Sequence, residues 1–335
     1  MIQVDISNIW GKLSLPELLG LEQTLFDAHM TLAEQKHPLL HLPREEEAPQ
    51  QAGWAEEVLE SSQVLVVLGD EGYAEGLVEL MGKSDLQIIF SRGSFSKHSW
   101  NRLQDLLYGK SFSVCLGSRN HNSDSRLLRE LKWLLERRYG TDESWSRIHQ
   151  DPFGLITMAA AGLDIQKIQA GMSDAQKALD LRSFDNPAWL YAAARHLLRQ
   201  KGIYKERLIY DEPAFEDLAN WWQGLFRGTS PLTESDLLPV LAADTDSMDT
   251  LLRFPTKEHT AVTGEPFGGP EWANFMASVN FIPQEEYSQM ETVLDADLER
   301  EIPVVVIDCD LMDAYTLGWL YYFFRLSAAL CAGMA

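Results

Sequence analysis

Along the chain, short apolar runs alternate with stretches in which apolar residues recur every three or four positions. The runs at 62–70 (SQVLVVLGD), 86–93 (LQIIFSRG), 112–118 (FSVCLGS), 206–213 (ERLIYDEP) and 302–310 (IPVVVIDCD) predict strands. Each is followed by a helical pattern, such as 72–81 (GYAEGLVELM) or 96–110, which Gly109 closes. Strands that are apolar throughout and alternate with helices argue for parallel sheets covered on both faces.

Residues 15–35 and 151–179 also read as helical, and 186–202 reads as a helix capped by Asn186 with Pro187 in its first turn. The stretch 37–53 is polar and proline-containing and reads as a surface linker. The organisation expected is an N-terminal helical segment over 1–55 and a first α/β domain over 56–150. Connecting helices over 151–200 and a second α/β domain over 201–335 complete it. A chain of 335 residues has the length of about two domains.

Charge narrows the choice of partners. The net charge is −22, which argues against nucleic acid and against anionic membrane. An anionic small ligand then needs a local basic site to attract it. Cys115, Cys309 and Cys331 are far apart and form no CxxC pair, so neither a disulfide framework nor a zinc site is expected. The N-terminus has no basic, then apolar, leader. The most apolar stretch, 317–335, is broken by Arg325 and reads as a buried helix. These features predict a cytoplasmic protein with no metal and no other cofactor.

The stretch 112–131 (FSVCLGSRNHNSDSRLLREL) reads as a strand, a turn and a helix. That layout is how backbone N–H groups converge on a phosphate at a helix N-terminus. Asp124 sits beside the turn, where it would repel an anion or cap the helix that follows.

Several segments together resemble bacterial glucose-6-phosphate isomerases: 105–114 (DLLYGKSFSV), 153–165 (FGLITMAAAGLDI), 186–202 (NPAWLYAAARHLLRQKG), 210–226 (YDEPAFEDLANWWQGLF) and 312–324 (MDAYTLGWLYYFF). They occur in the family's order and cover most of the chain. The resemblance implies two sugar-isomerase (SIS) domains of flavodoxin-like type. It also implies a sugar phosphate as ligand and a homodimer, since the family builds its site at a subunit contact. Trp221 and Trp222 fit core or dimer packing.

The chemistry residues depart from the family's pattern. The first glycine turn becomes GDEGY, keeping Gly69 and Gly72, adding Asp70 and Glu71, and placing Tyr73 for a serine; the resemblance implies Gly69, Gly72, Tyr73 and Arg253 as the sugar-binding residues. The phosphate loop becomes SRNHNS, with Ser118 retained and Arg119 keeping a positive charge. Asn120, Asn122 and Ser123 supply further hydrogen-bond donors, while His121 stands where the family has glycine. In GLFRGTSPL, Gly228 and Thr229 fall where the family has its basic glutamate, and Glu234 is the next carboxylate. In TDSMDTLLR, Asp249 stands for the ring-opening histidine and Arg253 for a glutamine. Asp244, Asp246 and Asp249 read as helix-start acids before they read as metal ligands. Arg147 is the nearest candidate for the arginine that stabilises the oxyanion. About thirty residues that the family carries before that point are absent, and its C-terminal lysine has no counterpart. These departures leave open a degenerate isomerase that binds a sugar phosphate, an active one using Asp249, His121 or Arg147, and an interaction scaffold.

Overall fold

The computed structural model describes residues 2–9, 11–44, 47–69, 72–91, 96–117, 126–210, 215–228, 238–239, 247–253, 297, 301–309 and 311–334. The chain folds as two units, one of residues 43–169 and 216–221, the other of residues 1–42, 170–215 and 222–335. The described strands are β1 (Ile2–Asp5), β2 (Val64–Leu68), β3 (Gln87–Ser91), β4 (Phe112–Leu116), β5 (Ile148–Gln150), β6 (Lys205–Ile209), β7 (Leu238–Pro239), β8 (Ser247–Arg253) and β9 (Val304–Cys309).

The unit of residues 43–169 holds a sheet of order β3-β2-β4-β5 in which every pair is parallel. β2 and β4 are buried along their whole length, as their unbroken apolar runs require. One face, with Val64, Val66, Leu68, Phe112, Val114 and Leu116, packs under helices Lys97–Leu107 and Arg126–Tyr139. The opposite face, with Leu65, Val67 and Cys115, packs under helices Glu47–Ser61 and Leu155–Ala160. Each fully buried Val or Leu contributes roughly 2 kcal/mol, so cohesion here is hydrophobic. Helix Lys97–Leu107 starts at Ser96, whose side chain accepts the Ser99 N–H at 3.1 Å, and Gly109 ends it at φ +73°.

The second unit holds a sheet of order β1-β9-β8-β6-β7, with β7-β6-β8-β9 parallel and β1 antiparallel on the edge of β9. In chain order its parallel strands lie 2-1-3-4, and so do those of the first sheet. One winding is therefore built twice. Helix Pro187–Gln200 begins as the sequence predicts, with the Asn186 side chain accepting the Ala188 N–H at 2.9 Å. It packs against helix Ala314–Gly333, which is apolar all round and buried almost throughout. Gly171 brings helix Ile165–Ala178 so close to this helix that a Cβ there would collide with the Tyr315 carbonyl.

The expected class, α/β with parallel sheets and helices on both faces, is the one observed. Three local readings are corrected. Residues 47–53, read as the end of a surface linker, open helix Glu47–Ser61, with Ala48 and Gln51 buried. The N-terminal segment is not helical throughout, because Ile2 and Val4 are buried against β9 as an edge strand. Residues 247–253, which carry no strand pattern, form β8 at the centre of the second sheet.

Candidate functional site

β2 and β4 lie side by side, with Leu68 opposite Leu116. Both chains leave the sheet at the same edge. The Gly117 N–H donates to the Leu68 carbonyl at 2.7 Å, and Gly69 follows β2 at φ +140°, a conformation that favours glycine. From β2 the chain enters helix Gly72–Met81, whose neighbour is helix Leu155–Ala160 on one face. From β4 it enters helix Arg126–Tyr139 on the other face. Connections that diverge to opposite faces from adjacent strands define a topological switch point. In such folds ligands bind at the carboxyl ends of the strands there. Gly69 and Gly117, directly after the two strands, are the last described residues there.

Gly69 and Gly72 therefore sit at this edge. Tyr73 turns its side chain inward, with its ring centroid 4.9 Å from that of Trp221 and only 3% of the residue exposed. Burial raises its phenol well above the ordinary tyrosine range, so it is a packing group. Trp222 is fully buried as well. The phosphate-loop candidates Ser118, Arg119, Asn120, Asn122 and Ser123 lie outside the described residues, as do His121, Asp70, Glu71, Asp124, Thr229, Glu234, Asp244 and Asp246. Gly228 ends helix Glu216–Gly228.

Arg147 immediately precedes β5, at the edge where the strands begin. Its guanidinium donates to the Ser61 carbonyl at 3.1 Å and to Glu143 at 3.1 Å, and lies 4.0 Å from the Tyr139 ring centroid. These contacts tie it to the end of the sheet opposite the switch point. Asp151, just past β5, is the cap of helix Leu155–Ala160. It accepts from the Ile156 and Thr157 N–H groups at 3.1 and 2.9 Å and from the Thr157 hydroxyl at 2.7 Å.

Asp249 and Arg253 belong to the other sheet. Asp249 is fully buried in β8, and Arg207 of β6 holds it at both carboxylate oxygens, with the Nε contact at 3.0 Å. Asp297 stands 3.5 Å from the same guanidinium. Hydrogen bonding to Asp249 raises Arg207 further above the arginine range. Arg253 makes the matching contact with Asp308 of β9, at 2.7 and 3.0 Å. On the opposite face of β6, the buried Glu206 accepts from the Tyr191 hydroxyl at 2.7 Å and the Thr250 hydroxyl at 2.5 Å. Its other oxygen stands 2.8 Å from Arg195 Nε. The Arg195 guanidinium in turn lies 3.7 Å from the Phe226 ring centroid. The sequence reading missed Arg195, Glu206, Arg207 and Asp308. Glu206 and Arg207 carry a faint signal, an adjacent Glu–Arg pair inside a strand pattern. Among the described residues no group of three or more His, Cys, Asp or Glu is placed to hold a metal, and no helix is long and apolar enough to cross a membrane.

The chain is similar to glucose-6-phosphate isomerases. It is 24% identical over 344 residues to those of Bacillus cereus (strain AH187) and Bacillus anthracis, covering 82% of this chain and 76% of theirs. No family model matches the chain. Among solved structures, a hypothetical protein from Thermus thermophilus superposes with a TM-score of 0.70 at 15% identity, covering 99% of this chain and 94% of that one. A glucose-6-phosphate isomerase from Chlamydia trachomatis superposes with a TM-score of 0.58 at 12% identity, covering 86% of this chain and 68% of that one. At those identities the structural likeness speaks for the fold alone.

Proposed function

We propose that the chain is a distant glucose-6-phosphate isomerase homologue that binds a sugar phosphate at the β2/β4 edge and does not isomerise it. The observation that carries this is the state of Asp249. By resemblance it stands for the residue that moves a proton in ring opening. Here Arg207 engages both its oxygens inside a sheet and the residue is fully buried, which keeps it from a substrate. Gly228 and Thr229, where the resemblance expects the base, carry no carboxylate. Losing a general base alone costs roughly two to four orders of magnitude in rate.

Binding is supported by the switch point itself and by the residue types of the stretch 118–123 in the sequence. Ser118, Asn120, Asn122 and Ser123 are its donors, and Arg119 its positive charge. Gly69, Gly72 and the backbone around Tyr73 form the sugar side. Arg253, tied to Asp308, and Arg147, tied to Glu143, keep structural roles in this reading, and His121 takes no proton-transfer role. The reading extends to two SIS-type domains, a homodimer and a cytoplasmic location.

Calorimetric titration of the full chain with fructose 6-phosphate tests it, alongside a coupled isomerase assay and an Arg119→Ala variant. The expected result is saturable binding, weakened about tenfold or more by Arg119→Ala, with no turnover above background. Turnover abolished by Asp249→Asn would restore an active enzyme. No heat up to about 1 mM ligand would overturn the binding site and leave a scaffold.

A further inference from the structure

The unit of residues 43–169 carries a surface whose charge opposes the rest of the molecule. Residues 97–117 and 126–147 contain nine Lys or Arg and five Asp or Glu, a net of +4, which leaves −26 on the rest of a chain whose total is −22. Helices Lys97–Leu107 and Arg126–Tyr139 lie on one face of the sheet, and Arg138 donates to the Leu107 carbonyl at 3.3 Å. Their inward positions are the leucines of the core. Their exposed charged positions are Lys97, Arg102, Arg126, Arg129, Arg137 and Arg138, against Asp105 alone, and the neighbouring helix Thr141–Ser146 adds exposed Asp142 and Glu143, the latter paired with Arg147. Glu130 and Glu136 are half-buried and face Arg126 and Lys132 of their own helix at 3.9 and 3.8 Å.

Two tryptophans stand within this surface, Trp133 at 49% and Trp145 at 56% exposure. Each has a cation over its ring: Arg137 lies 5.3 Å from the Trp133 centroid, and Lys132 lies 3.6 Å from that of Trp145. Arg129, Trp133 and Arg137 follow one another at intervals of four and form a single stripe along the helix. Tryptophan and arginine are the residue types that dominate binding hot spots. A cation over an indole also holds the ring in place before a partner arrives.

We propose that this face docks an acidic segment of another protein, its carboxylates on Arg129 and Arg137 and an apolar side chain against Trp133. Charge complementarity selects the occupant. The field of the whole chain repels nucleic acid, which carries a charge about every 1.7 Å of duplex. A short acidic segment meets the basic face from within roughly one Debye length, about 8 Å. The inference stands apart from the sugar-phosphate reading and uses none of its residues.

The test is fluorescence anisotropy of the full chain with a labelled synthetic peptide of about fifteen residues, glutamates around a central Leu–Phe pair. Binding is expected to shift tryptophan emission and to weaken about tenfold between ~50 and ~300 mM salt. The double variant Arg129→Glu/Arg137→Glu should lose about tenfold or more. Trp133→Ala should lose a similar factor while keeping the salt dependence. All three positions are exposed, and far-UV circular dichroism verifies the fold of each variant. Absence of saturation at about 100 μM, or affinity indifferent to salt or to the charge reversal, would overturn the proposal. So would tighter binding of a single-stranded oligonucleotide of equal charge. Self-association of the wild type that the reversal abolishes in sedimentation would also overturn it, because a second copy would then be the occupant.

Discussion

In the sheet β3-β2-β4-β5, the two central strands read VLVVL and FSVCL. In the sheet β7-β6-β8-β9, wound in the same order, the strands at the same places carry Glu206 and Arg207, then Asp249, Thr250 and Arg253. Replacing buried ion pairs by apolar side chains is often neutral or stabilising, so stability does not explain the second arrangement. Register does. Arg207 lies directly opposite Asp249, and Arg253 directly opposite Asp308. Slipping these strands by two residues would separate four charges from their partners at several kcal/mol each. The same slip of β2 against β4 mostly exchanges one apolar contact for another. Apolar runs decide that a strand is buried; paired charges also decide what it lies beside.

The strongest way to break this comparison is Glu206→Ala. It leaves Arg195 buried without its carboxylate and should cost about 3–5 kcal/mol, read from urea denaturation followed by circular dichroism. An effect below about 1 kcal/mol would mean that the pair is not coupled to the fold. Next, Asp249→Asn should cost about 2–3 kcal/mol. The double variant Arg207→Met/Asp249→Leu should return to within about 1 kcal/mol of wild type. If register is what the charges specify, the double variant refolds more slowly or aggregates on refolding while keeping its equilibrium stability.

The apolar sheet offers a smaller contrast. Ser113, buried in β4, shares a 2.8 Å hydrogen bond with Ser62, and Ser113→Ala should cost about 1 kcal/mol. The smallest effect concerns pH. Asp5, whose carboxyl accepts the Ser7 N–H at 2.7 Å, is raised above the ordinary carboxylate range, chiefly by burial. The folded state then holds its proton more tightly than the unfolded state, so this group's contribution to stability falls as pH rises through that window. Asp5→Asn should stabilise slightly at neutral pH, and the gain should vanish below the unfolded carboxylate pKa, about 3.9. Thermal melts of both proteins from acid to neutral pH would show it.

What could be read from the sequence divides along the same line. β2, β3, β4 and β9 are apolar runs and declare themselves, and Gly109 and Asn186 mark helix ends through chemistry confined to a few neighbouring residues. β8 stays hidden because Asp249 and Arg253 look like surface residues until Arg207 and Asp308, 42 and 55 positions away, neutralise them. β7 spans two residues and β5 three, too few for any period to show. At the site, β4 and helix Arg126–Tyr139 were legible, because each follows from local pattern, while the stretch between them lies outside the described residues. The inward turn of Tyr73 was not legible, because it depends on Trp221. Nor was the anchoring of Arg147 by Ser61, which is contributed by the segment before β2.

The antiparallel contact of β1 with β9 joins residues 2–5 to residues 306–309. On the ribosome, β1 waits for about three hundred further residues before its partner is made. The unit of residues 43–169 and 216–221 is complete about eighty residues before then and, being built of contacts within itself, has time to fold in the interval. A cut after Asp5 would leave β9, a six-residue strand, with an open edge in the newly made protein. Such edges recruit other chains, so loss of those few residues should first be seen as poor soluble yield.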